Sequence, residues 1–180
     1  MQHDQHNESH SGKGEGNYGR FMAMVGTSTA IMFGLMYLNT YEIGHVFWSE
    51  TRFWMTFVMG AVMAVVMLLF MWGMYRNTAK NWIILGAAAV VFAGALFLVR
   101  SQETIDDSEW MSAMIPHHSI AILTSERAHI SDPRVRELAD EIIEAQKREI
   151  AEMKWLLKDI DANGEAESKE EAITRSAPAF

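Results

Sequence analysis

The sequence predicts an all-α protein: three transmembrane helices followed by an exported helical hairpin. Two observations carry this. Phe21–Leu38, Phe53–Tyr75 and Trp82–Val99 contain no Asp, Glu, Lys, Arg or His, and about 18 such residues suffice to cross the hydrocarbon at about 1.5 Å each. Beyond them, apolar positions recur every three or four residues on either side of Ser131-Asp132-Pro133, a helix stop and restart.

The first block, 21–38, could be a signal sequence, but no small-residue cleavage site leads from it into a soluble domain and another span follows closely. It is read as retained. Gly26, Ala30 and Gly34 recur every fourth position in it, a spacing that lets spans approach closely. The second block, 53–75, carries Met55, Met59, Met63, Met67 and Met71 and then Met74. These trace a spiral stripe, either a thioether ladder for a soft metal or, as favoured here, adaptable packing at helix interfaces. Trp48, Trp54, Trp72, Tyr75 and Trp82 stand near span ends, where amphipathic rings favour the interface.

Lys13, Arg20, Arg76 and Lys80 fall on one side of these spans and Arg52 and Arg100 on the other. Positive charges favour the cytoplasmic side. The expectation is a bacterial inner-membrane protein with a cytoplasmic amino terminus and residues 101–180 in the periplasm. That exported part has nine Lys and Arg against eighteen Asp and Glu, which excludes a nucleic-acid partner. Fourteen Met and no Cys suit an oxidising compartment and leave Met and His as soft-metal ligands.

The hairpin pairs Asp106 to about His129 with a helix from Pro133 to about Ile160, capped by Asp132 or Ser131. The second helix has a seam of Val135, Ala139, Ile142, Gln146, Glu149, Met153, Leu156 and Ile160. Gln146 and Glu149 are polar in that seam and need partners. The first helix presents Met111, Met114, His118, Ile122, Ser125 and His129 on one stripe, with His117 at its margin. Folding back about the turn places His118 opposite Ala145 and Gln146, Met114 opposite Glu149, and Met111 near Met153. Pro116 is expected to bend the first helix.

Met114-Ile115-Pro116-His117-His118, with Met111 a turn earlier, puts thioethers and imidazoles on one short segment. The metal set read from this is Met111, Met114, His117, His118 and Met153, with Gln146 and Glu149 orienting them. His117 and His118 point about 100° apart on a regular helix, and His118 is the one on the inward stripe. His129 lies about 16 Å further along the axis and suits a cation at a helix end. Glu126 and His129 form one Glu-x-x-His, the spacing of di-iron bundles, but a second copy and the extra carboxylates are lacking.

Trp110–Thr124 followed by Ala139–Leu156 resembles the domain-of-unknown-function family 305, a ferritin-like helical family. The matching residues are Met114–His118, Ala121-Ile122, Gln146, Glu149-Ile150 and Met153. The sequence departs from the family pattern at Thr124, where a Met is usual, at Trp155, one position early, and in having one hairpin where members often have two. The resemblance implies copper or silver binding in the cell envelope through Met and His.

Together these readings give a membrane-anchored envelope protein, not an enzyme, that binds Cu(I) and possibly silver for tolerance or trafficking, with a metal-donor or efflux partner. Its partners are the lipid bilayer, the metal ion and, because one hairpin leaves Ile115, Ile143, Ile150 and Leu157 uncovered, a second copy in a homodimer. The alternative is a structural or signalling module whose hairpin docks a partner protein without metal. Residues 1–20 form a polar tail whose His3, His6 and His10 could wrap a square-planar ion but suit plain disorder better. Residues 161–180 read as a disordered acidic tail.

Overall fold

The computed structural model describes residues 17–179, so His3, His6 and His10 lie outside the described residues. Among the described residues the chain is helical and contains no strand. Its elements are α1 (Tyr18–Leu35), a 3-10 turn (Ile43–His45), α2 (Glu50–Phe70), α3 (Thr78–Ser101), α4 (Asp107–Arg127), α5 (Pro133–Asn163) and α6 (Lys169–Thr174). Each α-helix starts at a side chain that accepts a hydrogen bond from an orphan backbone N–H. The caps are Asn17, Ser49, Asn77, Asp106, Asp132 and Ser168.

α2 is the central helix of the amino-terminal half, with α1 and α3 packed on it. At one end Tyr18 donates to Asn81 Oδ1 (2.8 Å), and Asn81 donates to the Tyr75 carbonyl (2.7 Å), tying the start of α1 to the α2–α3 turn. The α1–α2 loop and the start of α4 therefore share the opposite end. Two helices, α2 and α3, are long and apolar enough to cross a membrane. The third expected span, α1, is not among them: its 18 residues include Arg20 and the hydroxyls of Thr27, Ser28 and Thr29.

The small-residue stripe of α1 does not make the close approach expected of it. Nothing lies within 4 Å of a Cβ built on Gly26 or Gly34, and Ala30 is exposed. The tight contact is at Gly60 on α2, where a Cβ would stand 2.8 Å from Thr29 Oγ1. Which glycine matters depends on the face turned to the neighbour, and α2 turns Thr56, Gly60, Ala61, Ala64 and Leu68 inward. Of the methionines in the second block, Met67 in α2 and Met71 at its C-cap pack against the cluster of Phe21, Val25, Ala64, Leu68 and Tyr75.

α4 and α5 form the antiparallel hairpin, and α4 runs unbroken through Pro116. Its buried residues are Met111, Ile115, Pro116, Ser119 and Ile122, a face turned toward Ile115 and Ser119 relative to the stripe expected. The reason is a second neighbour. Tyr41 and Phe47, from the α1–α2 loop, pack on the same cluster as α5. Ile115 (0 % exposed) and Ile150 (3 %) are consequently covered within one chain, and the need for a second copy to cover them is removed.

The segment after Asp161, expected to be disordered, carries α6 and is tied down by Arg175. The guanidinium bridges Asp159 Oδ2 (3.0 Å from Nε), Glu171 Oε1 (2.9 Å) and the Gly164 carbonyl (2.7 Å). Composition predicts disorder when apolar content is low, but one well-placed fork of donors fixes this return.

Candidate functional site

The side chains proposed as ligands start from helix geometry. Met111, Met114 and His118 are separated by three and four residues on α4, so they share a face. Met111 and Met153 lie in one buried cluster with Ile115, Ile122 and Ile150, and Met114 packs against it half-buried. His117 is exposed and turned away, its ring 6.0 Å from that of His118.

His118 Nδ1 faces Glu149 Oε2 at 3.0 Å, with an alignment short of a full hydrogen bond. Contact distance without alignment is a weak interaction. Burial holds the His118 pKa below its usual value, and nearby His117 adds to this, whereas the Glu149 carboxylate opposes it. A neutral imidazole, able to offer a lone pair, is favoured. Gln146 donates a long 3.4 Å bond to the same Glu149 oxygen, so Gln146 and Glu149 do meet behind His118.

The register differs by one turn from equal counting about Ser131. His118 meets Glu149, where Ala145 and Gln146 were expected. Helical side chains lean toward the amino terminus of their own helix. In an antiparallel pair, His118 leans away from the connecting turn and Glu149 leans toward it, so the two meet beyond the Cα pairing.

Sequence reading missed Ser119, His45 and Tyr41. Ser119 is fully buried. The Tyr41 N–H donates to its Oγ at 2.7 Å, and His45 Nδ1 lies 3.0 Å from that oxygen. With the hydroxyl donating to Nδ1, the neutral His45 ring carries its proton on Nε2, on the side of Glu42 Oε2 at 3.8 Å. Burial, then the Lys154 charge, depresses the His45 pKa, against an opposing pull from Glu42. The signal in the sequence was a hydroxyl between Ile115 and Ile122 on an apolar repeat, which needs a polar partner.

Among the described residues no three His, Cys, Asp or Glu side chains gather at one point. Glu126 and His129 are exposed, with no di-iron set around them. Any ion here would rest chiefly on thioethers, which fits a soft monovalent metal and no hard divalent one.

Residues 107–178 match the family described as Domain of unknown function (DUF305). The match takes in α4, α5 and α6, the ordered tail included. The chain is also similar to Uncharacterized protein L153 of Acanthamoeba polyphaga mimivirus, 29% identical over 138 residues, which is 76% of this chain and 89% of that one. That stretch is longer than the domain and so includes part of the helices before it. No solved structure matches.

Proposed function

We propose that this chain is a membrane-anchored protein whose α4–α5 hairpin binds Cu(I) or Ag(I), for tolerance to the metal or its trafficking. What supports the reading is that Met111 and Met153 lie in one buried cluster with Met114 packed against it, and that His118 follows Met114 by one helical turn. Two or three thioethers and a neutral imidazole are a donor set for a soft monovalent ion. Glu149 and Gln146 orient His118 from behind. No nucleophile or acid–base pair is assigned, and the chemistry is coordination.

α1, packed antiparallel on α2, is the third span in this reading, with Arg20 at its cytoplasmic end and the hairpin in the periplasm of a bacterial inner membrane. The largely exposed apolar faces of α2 and α3 support a lipid environment: Ile83, Val90 and Phe97 are each more than half exposed. A protein that only holds metal must pass it on, and an efflux or donor protein is the expected recipient.

A metal-free coupling module is the second reading, favoured by the Ser119 contact that joins the hairpin to the α1–α2 loop. Competition of the full-length protein against a chromophoric Cu(I) chelator separates the two. Met114→Leu and His118→Ala should each weaken binding by about tenfold or more, the equivalent of about 1.4 kcal/mol, with helicity retained. Unchanged affinity in the double variant eliminates the metal site.

A further inference from the structure

A cavity of about 530 Å³ opens between the first turns of α4, the last turns of α5 and the returning tail. Its floor is apolar, formed by Trp110, Met111, Leu156 and Ile160. Its rim is acidic: Asp107, Glu152 and Glu165 line it and are exposed, and none of the three has an ion-pair partner among the described residues. The remaining wall charges, Asp159 and Arg175, satisfy each other.

We propose that this cavity binds a small organic cation with an apolar or aromatic body. The volume is that of a small-molecule pocket and far exceeds a single ion. The two halves of the lining ask for two properties in one ligand. An apolar body covers the floor, where burial of apolar surface is favourable, and a positive head meets three unmatched carboxylates. Trp110, about half exposed and lining the cavity, is the aromatic side chain a cationic head would favour. An anion would confront the carboxylates, and a neutral ligand would leave them unanswered. A soft metal finds one thioether here, Met111, and that side chain is 4 % exposed. Arg175 holds the tail wall in place, so the site exists only while the tail is docked.

The test uses the full chain in zwitterionic lipid nanodiscs at low salt, without metal, so its outcome is independent of the metal reading. Benzyltrimethylammonium, titrated calorimetrically, should bind saturably at one per chain. Trp110→Ala, and the pair Glu152→Gln with Glu165→Gln, should each weaken it by about tenfold or more. The pair Glu137→Gln with Glu141→Gln removes equal charge elsewhere on α5 and should change affinity little. Benzylsulfonate, similar in size and opposite in sign, should not bind. Lack of saturable binding, equal binding of benzylsulfonate, or equal weakening by the distal pair overturns the proposal.

Discussion

Ile150→Ala should destabilise the hairpin severely, because this residue is the point where α5, α4 and the α1–α2 loop meet. Ile150 is 3 % exposed and shares its cluster with Ile115, Met111 and Met153, with Tyr41 and Phe47 packed on it. Truncation removes three carbons, about 0.8 kcal/mol each or roughly 2.4 kcal/mol in transfer alone. A residual cavity brings the total to about 2–5 kcal/mol. Leu138, on the same helix but 55 % exposed, provides the control and should cost under about 0.5 kcal/mol on truncation. The assay is hydrogen exchange of α4 and α5 amides in nanodiscs, read as the free energy of local opening. Phe47→Ala should couple to Ile150→Ala by about 0.5–3 kcal/mol in a double-variant cycle, since both side chains belong to one packed cluster. Equal costs for Ile150→Ala and Leu138→Ala, or strict additivity with Phe47→Ala, would refute the claim that one chain completes its own core.

Three other outcomes follow from particular contacts. Gly60→Ala should lower the thermal stability of the α1–α2 pair by about 1–3 kcal/mol, because its Cβ would meet Thr29 Oγ1 at 2.8 Å; Thr29→Ala should restore most of the loss, and failure to do so places the strain elsewhere. Ser119→Ala orphans the Tyr41 amide and His45 Nδ1, so exchange in 41–47 should quicken by about tenfold or more; an unchanged rate would show that the loop is held by packing alone. Because burial holds the His45 pKa below its usual 6.5, its unfolded form binds protons first as pH falls, so its contribution to stability is present above about pH 6.5 and lost as pH drops through the folded value. Comparing melting temperatures from pH 8 to pH 5 should show a steeper acid loss in the native chain than in His45→Gln, and parallel curves would contradict it.

The sequence alone determined helices α1 to α5, and missed α6. Charge-free blocks, the Asp132 cap with Pro133 behind it, and the three-and-four spacing of apolar residues act within a turn or two of chain, so they could be read without knowing any neighbour. That Met111 and Met153 share one cluster, with Met114 against it, follows likewise from helical periodicity plus one fold-back. What only the tertiary structure decided depends on contacts between distant segments. The packing of Tyr41 and Phe47 against the cluster that holds Ile115 and Ile150 joins residues far apart in the chain, and no local pattern marks it. Gly60, not the repeated small residues of α1, takes the close approach because packing chose which face of α2 turns inward. The tail is ordered because Arg175 reaches Asp159, against a composition that favours disorder. His118 meets Glu149 and not Gln146 because side-chain lean adds to the pairing of helix axes, a displacement set by how two packed helices present their side chains to each other.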